Sequence, residues 1–323
     1  MADPRIVSWA TEHARLLLSR YRRDESSLLT FMFHALVDGS RISLVGPVHP
    51  SQCNTTEQFS SLVEFYLDLG YQFVGPSDIL AGLNETKNHV LLTFDDGYFN
   101  NALALPVLEE FQVPAIFFIS TANILRGKSY WPDVVYRRRT AGGASQQDIR
   151  QELSDLKKLT PLQIESRLCA EFGPEAMAPT GDADRPLQAS ELAALAKHPL
   201  VSLGNHTRDH TILTNVGMEE VRQQIAGAQD DLMRICQVRP NTIAYPNGNH
   251  SSTVMQAAAA EGMLLGFTVE KSKTALPLSN NTADLLSISR LHLRHDRPLR
   301  TQLEIFRGRF GQRTENHRLG RAA

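Results

Sequence analysis

The feature that most constrains this chain is an alternation of two kinds of segment. Short apolar runs, of the kind that form buried strands, recur at residues 28–34, 90–94, 115–119, 201–203, 242–245, 266–269 and 285–293. Between several of them, residues 55–69, 100–111, 218–236 and 251–261 carry apolar side chains at helical spacing. Thr55 and Thr56 are suited to cap the helix that runs to Leu69, and Gly70 supplies its stop. Strands separated by helices imply a largely parallel sheet with helices outside it. About seven such units favour an α/β chain closed into a barrel over an open sheet, although the pattern is compatible with both.

Two regions break the rhythm. Residues 140–190 are polar, rich in Glu, Gln and Leu, and contain Pro161, Pro174, Pro179 and Pro186, which reads as a helical insertion between two barrel units. Residues 303–323 carry Arg307, Arg309, Arg313, Arg318 and Arg321 with little that is apolar, and are expected to form a mobile basic tail. The organisation expected is an N-terminal amphipathic helix within 1–26, a barrel over 27–302 and the tail. In that first helix, read over residues 5–23, Ile6, Ala10, Leu17, Leu18 and Tyr21 share a face while Arg15, Arg20, Arg22 and Arg23 ride elsewhere. It is expected to pack on the domain, and its basic face is compatible with peripheral contact with anionic lipid.

The chain has 323 residues, enough to bury a substantial core without disulfides or structural metals. Its net charge of −2 gives no overall preference for nucleic acid. Its three cysteines, Cys53, Cys169 and Cys236, are odd in number and widely spaced, which is neither a disulfide framework nor a zinc-binding pattern. No signal-peptide pattern and no membrane-spanning run is read. The expected location is therefore the cytoplasm, and the basic N-terminal helix is compatible with a place at the inner membrane face.

Three rim segments could carry chemistry. In Val90-Leu91-Leu92-Thr93-Phe94-Asp95-Asp96-Gly97 a buried strand ends in two adjacent carboxylates and a glycine. Adjacent residues at a strand end point in different directions, so one carboxylate can hold a metal while the other faces a water. Asn205-His206-Thr207-Arg208-Asp209-His210 follows another strand, and its two histidines can meet one metal if the segment is a helical turn. Ala244-Tyr245-Pro246-Asn247-Gly248 follows a third and could aim a backbone N–H at a developing oxyanion. Taken singly, a surface Asp-Asp-Gly turn, two exposed histidines or an ordinary Pro-Asn-Gly turn would account for each.

In this order the three segments resemble the polysaccharide deacetylase family, carbohydrate esterase family 4. Thr93–Gly97 looks like its first motif, His206-Thr207-Arg208-Asp209-His210 like its H-[ST]-x-x-H motif, and Ala244-Tyr245-Pro246-Asn247 stands where the family has R-x-P-Y. Met32-Phe33-His34 and Tyr130-Trp131 extend the resemblance, which runs from Phe31 to Leu293. It implies a distorted (β/α)7 barrel, with residues 140–190 as its helical insertion. It makes Asp95 the general base and Asp96, His206 and His210 the ligands of a divalent metal, usually Zn²⁺. Tyr245 and Asn247 would meet the substrate and its oxyanion.

Two departures bear on the site. The position of the family's base-orienting Arg is Ala244 here, and Arg290 is the candidate replacement. The family's late L-x-H motif supplies its general acid; Leu291-His292 lies near that place with altered spacing, which makes His292 the candidate, with His295 close by. The activity implied is hydrolysis of an N-acetyl group from an amino-sugar substrate, a lipid-linked or nucleotide-linked intermediate of surface-polysaccharide or glycoconjugate biosynthesis. Removal of a formyl or other acyl group would use the same chemistry. An inactive glycan-binding barrel is the alternative of another class, disfavoured by the presence of base and ligands together.

Overall fold

The computed structural model describes residues 26–39, 48–49, 53–279, 281–294 and 297–308. The helix expected at 5–23, His295 and the tail beyond residue 308 lie outside the described residues.

The strands follow in chain order: β1 (Ser27–Phe33), β2 (Ala35–Val37), β3 (Cys53–Thr55), β4 (Gln72–Phe73), β5 (His89–Phe94), β6 (Ala115–Ile119), β7 (Val201–Asn205), β8 (Thr242–Ala244), β9 (Leu265–Phe267), β10 (Thr274–Ala275) and β11 (Leu291–His292). From β1 through β5, β6, β7 and β8 to β9, neighbouring strands pair in parallel. Phe267 of β9 bridges in parallel to Ile288, and β11 pairs in parallel with Phe31 and Met32 of β1. The segment 288–292 thus occupies the place between β9 and β1 and completes a curled, distorted (β/α)7 barrel. The distortion lies in this seventh stave, which sequence reading takes as one strand over 285–293. Instead the helix Thr282–Leu285 precedes it, and it touches its neighbours only at a bridge and a two-residue ladder.

Strand parity divides the core in two. Leu29, Phe31 and Phe33, Val90, Leu92 and Phe94, and Ala115, Phe117 and Ile119 point outward, where they pack with Phe59, Leu62, Val63 and Tyr66 of the helix Thr56–Asp68. The alternate residues Leu28, Leu91, Ile116, Phe118, Ala244, Phe267 and Ile288 fill the barrel interior. Both faces are covered, which is why these strands read as continuous apolar runs.

Local signals in the sequence explain several element boundaries. Thr55 caps the helix Thr56–Asp68 in a reciprocal box with Gln58 (3.0 and 3.1 Å). The helix expected at 100–111 divides into a 3-10 segment, Phe99–Ala104, and the helix Leu105–Phe111, where Pro106 starts the α-helical part. Between β6 and β7 run the helices Thr121–Arg126, Trp131–Ala141, Gln146–Leu156, Pro161–Phe172 and Ala189–Leu195. This excursion has its own small core of Val134, Val135, Leu156, Ile164, Leu168, Ala176 and Met177, so it starts ahead of residue 140. Leu192 and Leu195 already belong to the outer barrel core. The boundary expected at 302/303 falls inside the helix Leu299–Arg307. Leu303 is buried, its carbonyl accepts from the Tyr66 hydroxyl (3.1 Å), and the Phe306 ring lies 5.9 Å from that of Phe31.

The excursion is pinned to the barrel by a buried carboxylic acid. Asp133, at the start of Trp131–Ala141, accepts from the Tyr98 hydroxyl (2.7 Å) and the His49 N–H (3.4 Å). Burial pushes its carboxyl up to about 7, against those two bonds.

Two outcomes are expected. Leu303→Ala leaves a cavity under the last described helix and costs about 2–5 kcal/mol, read as a lower urea midpoint; a free tail would give no change. The folded chain holds the Asp133 proton over a range in which the unfolded chain has lost it, so this group lowers stability as pH rises from about 4 to about 7. Asp133→Asn removes that decline. The urea midpoint of the variant should gain on that of the wild type from about pH 4 to about pH 7 and gain no further above it.

Candidate active site

The C-terminal strand ends of the barrel open into a cavity of about 250 Å³ lined by Asp95, Asp96, His206, His210, His34, Asn247, Tyr98, Tyr130 and Trp131, among others. Parity puts the chemistry there. Leu91 and Thr93 face the interior, and so does Asp95, two residues on; Gly204 faces the interior, and so does His206. Gly204 is obligatory in that position, because a Cβ would stand 2.3 Å from the Phe118 ring.

Asp95 is almost wholly buried and meets Arg290, which is 1% exposed. The guanidinium Nη1 donates to Oδ1 at 2.6 Å and Nη2 to Oδ2 at 2.8 Å. The guanidinium is itself aimed: Nε donates to the Thr268 carbonyl (2.9 Å), Nη1 to the Thr93 hydroxyl (3.2 Å), and its Cζ lies 5.7 Å from the Phe118 ring centroid. Burial alone would raise the Asp95 carboxyl; Arg290 and then His206 outweigh it and hold the group below the usual carboxylate range.

Asp96 turns the other way. The chain reaches it with φ 76, and Gly97 follows with φ 94. Its carbonyl accepts from the Tyr130 hydroxyl (2.7 Å) and the Ser120 N–H (3.0 Å). Its Oδ1 lies 3.3 Å from His206 Nε2 and 3.2 Å from His210 Nε2. Burial would raise this carboxyl as well, yet His210 and His206 hold it well below its ordinary value. The opposite balance, with Asp95 and Asp96 outweighing burial, raises the His206 imidazole.

The two histidines meet at Asp96 without sitting on a helical turn. They belong to an irregular loop in which Thr207 (φ 62) and His210 (φ 54) are left-handed. Side chains hold that shape. Asn205 accepts from the Thr207 N–H (2.8 Å), and the Thr207 hydroxyl accepts from the Thr211 N–H (2.8 Å). The long helix Met218–Cys236 grips the two residues between the ligand candidates. The Gln224 carbonyl accepts from the Arg208 N–H (3.0 Å), and Gln224 Oε1 accepts from the Asp209 N–H (2.9 Å). Gln224 Nε2 donates to Asp209 Oδ2 (2.8 Å), and Asp231 accepts from Arg208 Nε (3.1 Å). Among the described residues, Asp96, Thr207, His210 and Asn247 are four of the six non-glycine residues with positive φ, and the other two, Gln112 and Gln237, merely end helices. Unfavourable backbone conformations concentrated in this way mark a functional rim.

The remaining candidates are placed unequally. Asn247 lines the cavity with φ 58. Tyr245 does not: parity turns its side chain outward, into a core with Ile225, Ile243 and Val254. Only its backbone belongs to the rim. His292 is not among the cavity-lining residues; its ring stands edge-on, 6.4 Å from His34, which is. His34 is the residue that sequence reading undervalued, although its place at the end of β1 is the same kind of signal that pointed to Asp95. Burial lowers its pKa, favouring the neutral ring. Lys157, Leu159, Pro161 and Ile164 bring the excursion into the cavity wall, which no local motif announces.

The donor set fits a divalent metal. His206 Nδ1 lies 2.7 Å from the Ala244 carbonyl, which fixes the proton there and leaves the Nε2 lone pair facing Asp96. One atom from each of Asp96, His206 and His210 lies within 4.8 Å of the others, and Asp96 Oδ1 is buried with no hydrogen-bond donor assigned to it. Acceptors that converge in this way need a cation or a proton between them. Two imidazoles and a carboxylate leave positions open, as in a catalytic site.

No helix among the described residues is long and apolar enough to cross a membrane. Among solved structures, the Streptococcus pyogenes deacetylase PplD in complex with acetate matches with 18% identity and a TM-score of 0.58, covering 87% of this chain and 99% of that one. IcaB from Ammonifex degensii matches with 17% identity and a TM-score of 0.57, over 87% and 97% of the two chains. A de-N-acetylase from Aggregatibacter actinomycetemcomitans matches with 13% identity and a TM-score of 0.55, over 87% and 100%. At these identities the likeness speaks for the fold alone. No curated protein matches significantly in sequence. The sequence profile of the polysaccharide deacetylase family matches residues 82–265, more than half of the chain and including both the two carboxylates and the two histidines. The chain belongs to the polysaccharide deacetylase family, and by that membership it is a carbohydrate N-deacetylase, a hydrolase of the carbon–nitrogen bond of an acetamide.

Proposed function

We propose that the chain removes the N-acetyl group of an amino sugar, with Asp96, His206 and His210 holding a divalent ion, Zn²⁺ by the chemistry of the donors, and Asp95 acting as the base. The observation that carries this reading is the convergence of both imidazole Nε2 atoms on Asp96 Oδ1, at 3.3 and 3.2 Å, beside a second carboxylate fixed by a different partner. A bound divalent ion supplies Lewis acidity toward the acetamide carbonyl and the attacking water.

The residues of the chain do the rest. Asp95 is ionised, oriented by two bonds from Arg290, and positioned to take a proton from the attacking water. Arg290 thus stands in for the arginine that Ala244 replaces. It lowers the basicity of Asp95 but fixes its geometry, and it arrives from the seventh stave rather than the fifth. The backbone at Asn247 is offered to the oxyanion. His292 is the proposed donor to the departing amine, reaching the cavity by way of its neighbour His34. Tyr130, bonded to the Asp96 carbonyl, and Trp131 wall the substrate. A cytoplasmic lipid-linked or nucleotide-linked intermediate of surface-polysaccharide or glycoconjugate assembly remains the proposed setting.

Acetate release from a panel of N-acetylated sugars, with formate assayed alongside on the N-formyl analogues, tests the reaction. His206→Ala should abolish both metal retention and turnover. Asp95→Asn should keep the metal and lose turnover by roughly a thousandfold or more; loss of the metal in that variant would assign Asp95 to the ligand set. Gln224→Ala should leave the fold intact and weaken metal binding by about tenfold, read by calorimetric titration.

A further inference from the structure

The excursion contributes one charged group to the catalytic cavity. The helix Gln146–Leu156 ends at Lys157, whose backbone is held on both sides. Its N–H donates to the Leu153 carbonyl (3.2 Å), and its own carbonyl accepts from Asn215 Nδ2 (2.7 Å). The side chain lines the same cavity as Asp95, Asp96, His206 and His210. It is solvent-accessible, as a group that meets an incoming ligand must be. The surrounding protein nevertheless lowers its pKa by desolvation, with no acidic neighbour raising it.

Other cations near the cavity are engaged. Lys158 pairs with Asp155 (2.7 Å), Arg126 with Asp209 (3.0 Å), and Lys128 with Glu165. Among the described residues, no carboxylate pairs with Lys157. Arg126, Lys128, Asp209 and Glu165 line an adjoining cavity of about 600 Å³, which shares Tyr130, Trp131, Pro161 and His210 with the catalytic one. That larger space presents no uncommitted cation, whereas the catalytic cavity does.

Charge counting decides what Lys157 is for. Asp95 is already neutralised by the bidentate Arg290. With neutral imidazoles, Asp96 and Lys157 then cancel, and a bound divalent ion leaves the cavity with two positive charges. A lysine placed only to balance the carboxylates would be superfluous once the ion is present. In a partly desolvated site an excess of this kind favours an anionic occupant. The catalytic cavity, at about 250 Å³, is smaller than the roughly 300–1,000 Å³ typical of ligand pockets and suits a single sugar unit.

We infer that Lys157 is a specificity-determining residue that pairs with a negatively charged substituent, a phosphate ester or a carboxylate, on the same sugar that carries the acetamide. This rests on the metal-assisted deacetylase reading above and narrows its substrate to anionic amino sugars.

The test uses the zinc-loaded full chain and three probes: N-acetylglucosamine 1-phosphate, N-acetylglucosaminuronic acid and the neutral methyl N-acetylglucosaminide. Affinity is measured calorimetrically in an Asp95→Asn background, and acetate release in the parent chain. At least one anionic probe should bind about tenfold or more tightly than the neutral one. Lys157→Met should remove that advantage, leaving the neutral probe within about twofold, and Lys157→Arg should restore most of it. The stronger of the two anionic arms identifies phosphate or carboxylate. Equal binding of all three probes, no binding of any, or an equal loss for charged and neutral probes in Lys157→Met overturns the inference. Lys157-dependent anion binding without acetate release from the parent chain leaves the inference standing and removes the proposed reaction. Acetate release from the neutral probe with no anion preference does the reverse.

Discussion

The two-pronged bond between Arg290 and Asp95 is the constraint around which the top of the barrel is arranged. An ion pair buried this deeply contributes little net stability, because desolvation of both charges offsets their attraction. Its value is geometric. The guanidinium is held by the Thr268 carbonyl, the Thr93 hydroxyl and the Phe118 ring, so that it offers Asp95 one orientation. The Thr93 hydroxyl in turn donates to the Phe31 carbonyl (2.8 Å) on β1. A single side chain thereby ties the seventh stave to β1, β5 and the end of β9. Ile288 and Arg290 stand two residues apart, so the apolar side chain and the guanidinium both face the barrel interior.

With Asp95 fixed by an arginine, Asp96 is free for a different partner set. The two carboxylates are adjacent in sequence, yet one looks into the barrel and the other toward the loop of His206 and His210. The left-handed backbone at Asp96 makes this separation. Its cost, of order 1–3 kcal/mol for such a conformation, is met by the hydroxyl of Tyr130 and the N–H of Ser120 on the Asp96 carbonyl. The histidine loop is under the same kind of constraint and is held by Asn205, Thr207, Gln224 and Asp231. Both halves of the proposed metal site are therefore strained segments supported from outside, as a preorganised site requires.

The excursion between β6 and β7 gives this barrel its individual cavity. It carries its own apolar core, is tied to the barrel by Asp133 to Tyr98, and is braced internally by Asp184, which accepts from Arg137, the Ser129 hydroxyl and the Thr180 N–H. That rigidity lets a turn distant in sequence, Lys157 to Pro161, form part of the catalytic wall. In the proposed reading the rim of the barrel supplies the chemistry and the excursion shapes the cavity that receives the sugar.

Local pattern along the chain was enough to read the class of fold and the core of the candidate site. Strand periodicity and helix caps are local properties, so β5, β6 and the helices Thr56–Asp68 and Met218–Cys236 were legible from the residues. Asp95, Asp96, His206, His210 and Arg290 were legible because each stands at or near a strand end, where the fold turns sequence position into rim position. Direction and distant contact were not legible in this way and came with the folded chain. Packing against Ile225 and Val254 takes the Tyr245 side chain into the core. The bonds from Gln224 and Asp231 replace a helical turn at the histidines by a strained loop. Ring packing puts His34 in front of His292, and a folded excursion carries Lys157 to the site. Each depends on partners far away in the chain, and periodicity in one sequence records which face a residue takes but not what it meets there.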